Sequence, residues 1–268
     1  MKKKNNAFPK IYLFLIMAFF YFPIIYVIFF SFNASRSLTN FTGFSLRWYE
    51  KMFHTRSMME SIYYSAVIAI IATAVSTVVG TISAIGLSKS SRLVKELVTQ
   101  INNLPMLNPD IVTAIGMMLF FVTINVQTGF MTLLIAHIVF CIPYVMLSIG
   151  PKLRQLDDNL AEAALDLGCT PFEALWKVIV PQIKEGIISG ALVAFTMSFD
   201  DFVISYFTTG PGINNISTYV YSTSKRINPS VNALSTLIVV VITVVLIIVN
   251  VIPMIRERRL RKLNEKAV

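Results

Sequence analysis

The sequence predicts an all-α membrane protein with six transmembrane helices and both termini in the cytoplasm. Three observations lead there. The chain of 268 residues is 55% hydrophobic and only 14% charged, with a mean hydropathy of +0.69, far from the composition of a soluble domain. Its apolar residues gather in blocks of about 20, the length that carries a helix across a bilayer. Its basic residues are shared unevenly among the connections between those blocks.

The blocks cover residues 11–32, 61–87, 101–124, 129–150, 183–207 and 234–255. The first is too long and too aromatic for a cleaved signal peptide, and no small-x-small site follows it, so it reads as a retained helix. The connections alternate between two sides. The N-terminus, the 88–100 connection, the 151–182 loop with the start of the fifth helix, and the tail together hold 17 Lys and Arg, against 6 on the other side. The positive-inside rule therefore places both termini in the cytoplasm. The net charge of +9 is a topology signal that fits contact with the lipid bilayer, and its placement argues against nucleic acid. Cys141 lies in an apolar block and Cys169 in a polar loop, with no metal-ligand spacing, so neither a disulfide nor a metal site is expected.

Two outer segments are long. Between the first two blocks, SLRWYEKMF sets Leu46, Tyr49, Met52 and Phe53 at helical spacing. A short interfacial helix is expected there, with Trp48 and Tyr49 at headgroup level. The second outer segment, TTGPGINNISTYVYSTSKRINPS, carries turn chemistry at Gly210-Pro211-Gly212 and at Asn228-Pro229. The third block starts oddly. Asn108-Pro109-Asp110 reads as a helix start inside the membrane, with Asn at the N-cap, Pro at the first helical position and an acid in the first turn. Broken helices at membrane depth occur where they line a cavity or are buried in protein. Two readings of Asp110 stand: a cap on the helix dipole, or a carboxylate facing a path.

The inner loop DDNLAEAALDLGCTPFEALWKVIVPQ, residues 157–182, has a legible design. Asp157, Asp158 and Asn159 offer N-caps for a short helix through Leu167, and Gly168 stops it. Thr170-Pro171-Phe172-Glu173 is a capping box with Pro at the first helical position. Pro181 ends or kinks the second helix. Ala161, Ala163 and Ala164 leave little bulk, so a partner groove can approach closely. A bare connection would be far shorter.

EAALDLG followed by Val180-Pro181 resembles the EAA loop of permease subunits in bacterial ABC importers. In that family the loop forms a coupling helix docked into an ATPase subunit; Glu162, Ala163, Ala164 and Gly168 match the motif positions, and Pro181 its closing proline. FSFNAS (residues 30–35), RWYEKMF, NPDIVTAI, SFDDFVISYFTTGPG and INPSVNALST resemble, in order, the second permease subunit of spermidine/putrescine importers. The resemblance implies the type I ABC importer permease fold. It also implies a homologous second permease, two ATPase subunits and an extracytoplasmic substrate-binding protein. No G-x-x-x-x-G-K-[ST] phosphate loop occurs in the chain. It is therefore expected to be a transport subunit and not an enzyme, to bind no cofactor itself, and to leave ATP and Mg to the partner ATPase.

The costliest feature is TMSFDDFVISYF, residues 196–207, where Asp200 and Asp201 stand side by side in an apolar block. An acid at the centre of a membrane helix costs roughly 2.5–3.5 kcal/mol on insertion scales. A path for polycations must replace lost hydration with negative charge and aromatic faces. Asp200, Asp201, Ser198, Asp110 and the aromatic Trp48 are therefore the candidate substrate path. On a continuous helix the two acids would lie about 100° apart, so one would face the path and the other a neighbouring helix or loop. The solvated alternative is an acid pair at the outer interface. Gly186-x-x-x-Gly190 permits close helix packing. His137 reads as a hydrogen-bonded core histidine, and His54 carries no signal. The division expected is 1–59 for the first helix and outer segment, 60–255 for the core with its coupling loop, and 256–268 for a basic tail.

Two rival classes are set aside. A stand-alone secondary transporter would show internal repeats, which are not seen, and would not need the inner loop. An intramembrane aspartyl protease needs two acids converging to share a proton, whereas Asp110 and Asp200 are expected at different depths. The sequence does not rank spermidine against putrescine, and another cationic cargo is the alternative within the importer class.

Overall fold

The computed structural model describes residues 7–157, 159–224, 228–244 and 247. Among them there is no strand beyond one isolated bridge between Asn33 and Phe44. The basic tail, the N-terminal Lys2–Lys4, Lys225, Arg226 and the end of the sixth apolar block lie outside the described residues. The chain divides into two units, Met1–Met59 with Ser222–Val268, and Glu60–Tyr221.

The first unit begins with α1 (Ala7–Ser31), which contains Pro23. Its side chains are exposed over most of the helix, as in a helix whose apolar surface faces lipid. A compact loop follows, organised by Asn33. The Asn33 amide donates to Ser37 O and Asn40 O, both at 2.8 Å, and accepts from Thr42 N at 2.9 Å. The short helix expected at SLRWYEKMF is α2 (Arg47–His54), but its inward face is not the expected one. Trp48 and Met52, one turn apart, are buried, while Leu46 and Phe53 are exposed. Trp48 is therefore held inside the protein and not presented to its surroundings. It is 2% exposed, its indole N–H donates to Asn33 O at 2.7 Å, and Arg47 covers its ring at 4.2 Å. A buried indole needs an acceptor for its one donor, and the Asn33 loop supplies it.

The second unit holds the remaining long helices. α3 (Arg56–Ser88) starts just before it. The expected 88–100 connection is mostly helical: α4 (Arg92–Leu107) carries the chain into the third apolar block. There the chain bends by 107° into α5 (Asp110–Thr123). The expected break is present, with different caps. Asn108 closes α4 through its N–H to Leu104 O, and Pro109 is the N-cap of α5. Pro109 cannot continue the α4 ladder, and it biases Asn108 to the extended backbone found there. α6 (Phe130–Arg154) follows and runs on past the block expected for it.

The inner loop forms α7 (Leu160–Asp166), α8 (Pro171–Ala174), a π-helical turn (Leu175–Ile179) and α9 (Val180–Gln182). Pro181 lacks the N–H that would bond Lys177 O, and its ring crowds that carbonyl, so the preceding turn widens. The chain then bends by 73° into α10 (Lys184–Phe199). The fifth block is thus not one continuous helix to residue 207. It ends at Phe199 and resumes as α11 (Val203–Thr208). α12 (Ile216–Thr223) follows, and the unit ends within it at Tyr221.

The last described helix, α13 (Pro229–Val244), belongs with the first unit and not with the core to which it is assigned by position in the chain. Asn228 accepts Ser230 N at 3.2 Å, so Asn228-Pro229 is a helix start as well as a turn. Its Ser235, Thr236 and Val239 share a groove with Pro23, Ile24 and Val27 of α1.

α6 is the centre of the second unit. Gly186 and Gly190 of α10 bring that helix against the backbone of Ile149 and Val145, where an added Cβ would lie 3.3 Å from main-chain atoms. The core around them holds Phe140, Cys141, Val145, Ile149, Ala194 and Ile204. α1, α3 and α6 are each long and apolar enough to span a bilayer, and the two bent pairs, taken as one span each, bring the number among the described residues to five.

Candidate functional site

The break between α10 and α11 is built by its two acids in different ways. Asp200 takes the C-cap of α10, its N–H bonding Thr196 O at 3.3 Å. Its side chain is exposed, and its carbonyl accepts Ser217 Oγ at 3.1 Å. Asp201 turns inward. Its carboxylate accepts Ile204 N at 3.2 Å, Ser205 N at 2.7 Å and Ser205 Oγ at 2.9 Å. These N–H groups belong to the first turn of α11, which has no intrahelical partners for them. The Asp201 side chain is 7% exposed. An aspartate bonding the backbone just ahead of it starts a new helix and ends the old one, which is why the block breaks here.

Asp201 belongs to a buried network. His137 of α6 lies 3.6 Å from its carboxylate, with Ser198 Oγ on one ring nitrogen at 2.8 Å and Ser205 Oγ on the other at 3.0 Å. Asn215 Nδ2 donates to Asp201 O at 2.8 Å and to Ser205 Oγ at 2.7 Å. His137 is the hydrogen-bonded core histidine expected, but it has an acid partner far along the chain. Ser198 is buried and turned toward α6.

On the open side of the break, Phe202 meets Tyr206 at 5.5 Å and Tyr221 at 4.9 Å between ring centroids, and Tyr206 and Tyr221 lie 5.7 Å apart. Ser217 and Tyr221 stand one turn apart on α12, so the helix that binds the Asp200 carbonyl also carries one of these rings. Tyr206 and Tyr221 are half exposed. An exposed carboxylate at the same break as two half-exposed tyrosine rings suits an organic cation. Asp110 is exposed at the first turn of α5, just past the other bend. Trp48, in the first unit, is buried as described above. The structure therefore unites Ser198 and Asp201 in one network and leaves Asp200 outside it. Among the described residues no group of His, Cys, Asp and Glu is placed to hold a metal ion.

The inner loop keeps the expected helix–Gly–helix. Gly168 has φ +88°, its N–H bonds Leu165 O at 2.9 Å, and Cys169 N bonds Ala164 O at 3.1 Å. This 6→1 and 5→2 pair ends α7. At its start, Asp157 accepts Asn159 N at 3.0 Å, while Asn159 itself makes no side-chain cap bond. Thr170 accepts Glu173 N at 3.3 Å, and Glu173 accepts Thr170 N at 3.0 Å, completing the capping box. A hydrogen bond from Lys177, then those from Thr170, hold the Glu173 carboxyl down at about 2. Glu162 and Ala163 are exposed, whereas Ala164 is buried within the unit. Leu167, 86% exposed, and Phe172, 69% exposed, flank Gly168. Leu167 and Phe172 thus present apolar side chains on either side of a turn fixed by backbone hydrogen bonds.

An all-α chain with several membrane-length apolar helices, and with further apolar segments broken at Pro109 and at Asp200-Asp201, is a multi-spanning membrane protein with irregular backbone inside its apolar blocks. The chain belongs to the family of binding-protein-dependent transport system inner membrane components, whose pattern matches residues 76–262. It is accordingly a multi-pass inner membrane transport protein. It is 35% identical over 238 residues to the spermidine/putrescine transport system permease protein PotC of Haemophilus influenzae, covering 88% of this chain and 91% of that one. It is 36% identical to the putrescine transport system permease protein PotI of Escherichia coli, covering 82% of each. A PotC homolog of Mycoplasma genitalium is 30% identical over 97% of this chain and 96% of its own. The fold is that of ABC importer permeases: a bacterial ABC transporter involved in the import of the acidic polysaccharide alginate superposes with a TM-score of 0.69 at 14% identity, over 95% of this chain and 98% of that one.

Proposed function

We propose that the chain is a permease subunit of an ATP-driven polyamine importer and forms, with a homologous second permease, the path for spermidine or putrescine. The observation that carries the reading is the exposed Asp200 carboxylate on a break in a membrane helix that also carries the ring cluster of Phe202, Tyr206 and Tyr221. The names of the relatives support the same cargo. Asp110 lines the path at the second break. Cargo arrives from an extracytoplasmic binding protein, and two ATPase subunits, holding ATP and Mg, dock on the knob around Gly168. From Lys184, a helix rising about 1.5 Å per residue reaches Asp200 roughly 24 Å farther on, which puts the carboxylate toward the outer side, where a delivered cation enters first.

The test is uptake of labelled spermidine and putrescine by the complex reconstituted in vesicles, with unlabelled amino acids and polyamines as competitors. ATP-dependent uptake blocked only by polyamines is expected. Uptake of another solute in preference to both polyamines would overturn the reading.

A further inference from the structure

The break that presents Asp200 is held from the side. Three side chains of α6 reach across: Thr132 Oγ1 donates to Thr208 O at 2.9 Å, His137 contacts both flanks of the break, and Cys141 Sγ lies 3.5 Å from Ala194 O. Of these, His137 joins the two segments to each other, taking Ser198 from the last turn of α10 and Ser205 from α11. It is 1% exposed.

The proton positions follow by elimination. Both oxygens of Asp201 face N–H donors, so the carboxylate accepts. The one hydroxyl proton of Ser205 therefore goes to Asp201 Oδ2, and Asn215 Nδ2 donates to the Ser205 oxygen. That oxygen can only accept from His137, which puts a proton on Nε2. Nδ1 is then free to accept the Ser198 hydroxyl. In this tautomer each donor meets an acceptor, and imidazole supplies one of each, pointing in opposite directions.

We propose that His137 is a positioning residue of the cargo path: it clamps the ends of α10 and α11 to α6, and so fixes the break that turns the Asp200 carboxylate outward. Ser198 and Asp201 serve the clamp and do not touch the cargo. The inference rests on the reading of Asp200 as the cargo carboxylate. An apolar ring at position 137 would fill the volume but strand the Ser198 hydroxyl and leave Ser205 one partner short, and buried polar groups in membrane do not tolerate this. A glutamine keeps one donor and one acceptor on a flexible stem.

Two readouts test the clamp in the assembled complex. In the first, Cys169→Ser removes the accessible native thiol, Asp200→Cys places a reporter thiol, and its reaction with a charged, membrane-impermeant reagent is timed. Adding His137→Phe should change that rate by about tenfold, and His137→Gln should bring it back most of the way. In the second, with Asp200 intact, His137→Phe should raise the KM for spermidine about tenfold with a much smaller change in kcat, and His137→Gln should rescue it. If His137→Phe does not assemble, Ser205→Ala, which removes the Nε2 partner while leaving the Asp201 bond to Ser205 N, should reproduce both effects. Unchanged reactivity of the reporter thiol and unchanged KM in an assembled variant would overturn the proposal, as would a fall in assembled complex with no change of KM. Should the wild-type complex take up no polyamine, the proposed cargo fails, while the reaction rates of the reporter thiol still decide the clamp.

Discussion

The Asp201 carboxylate accepts three hydrogen bonds from residues 204 and 205, while among the contacts described its neighbour Asp200 bonds other residues only through its backbone. The same substitution should therefore do different things at the two positions. Asp200→Asn keeps shape and removes an exposed charge. It should leave assembly intact and raise the KM for a polyamine, with a larger loss for the triamine than for the diamine, since a charge-assisted hydrogen bond contributes about 1.5–3 kcal/mol. Asp201→Ala strips the acceptor from buried donors at about 1–3 kcal/mol, and should lower the thermal stability of the solubilised complex before any transport is measured. Detergent-solubilised melting curves and initial uptake rates separate the two; equal effects of both substitutions in both assays would contradict the assignment.

Among the elements, the knob of α7, Gly168 and α8 is the most readable from the chain, because the donors and acceptors of its turn and capping box lie within five residues of each other. Gly168→Val puts a β-branched residue at φ +88°, a region costing such side chains about 1–2 kcal/mol. The expected outcome is reduced co-purification of the ATPase subunit with the chain still inserted in the membrane, measured by pull-down from solubilised membranes. Glu173 gives a second check. Its carboxyl is held at about 2, with Lys177 the first cause, so its contribution to the capping box is complete above the ordinary carboxylate value of about 4.3 and is lost as pH falls through the folded value. Docking should thus be insensitive to Glu173 titration from neutral pH down to about 4. Lys177→Ala should move the carboxyl's NMR titration up toward the ordinary range, and an unmoved titration would show that Lys177 is not its cause. By contrast, the inward face of α2 is not legible in its spacing, because the partner of Trp48 is a carbonyl made available only by the Asn33 loop.

In the second unit as a whole, packing onto α6 relies on glycines that let α3 and α10 come close. A Cβ on Gly80 would stand 2.8 Å from Val145 Cγ1, and one on Gly190 3.3 Å from the Val145 backbone. Gly80→Ala should destabilise the complex by about 1–3 kcal/mol through overpacking, and Val145→Ala should recover part of that loss, since it removes Cγ1 while keeping the Cβ met at 2.9 Å. Gly190→Leu meets main chain that cannot retreat, so Val145→Ala should recover less of its loss. A double-mutant cycle on thermal stability measures both couplings; equal rescue of the two glycine variants would show that the helices simply separate.

Hydropathy and charge bias are enough to establish a membrane protein of several apolar helices, because partition into lipid is a property of about 20 consecutive residues and needs no tertiary partner. The break at Pro109, the stop at Gly168 and the Thr170 cap are legible for the same reason: each is a backbone effect of residues next to it. The acid pair is recognisable as costly, and its division of labour is not. That division depends on His137, Asn215 and Ser217, which reach residues 200 and 201 only when α6 and α12 pack beside them. A buried hydrogen bond between distant residues leaves no periodicity in the chain, so only the tertiary structure could decide that Asp201 turns in and Asp200 turns out.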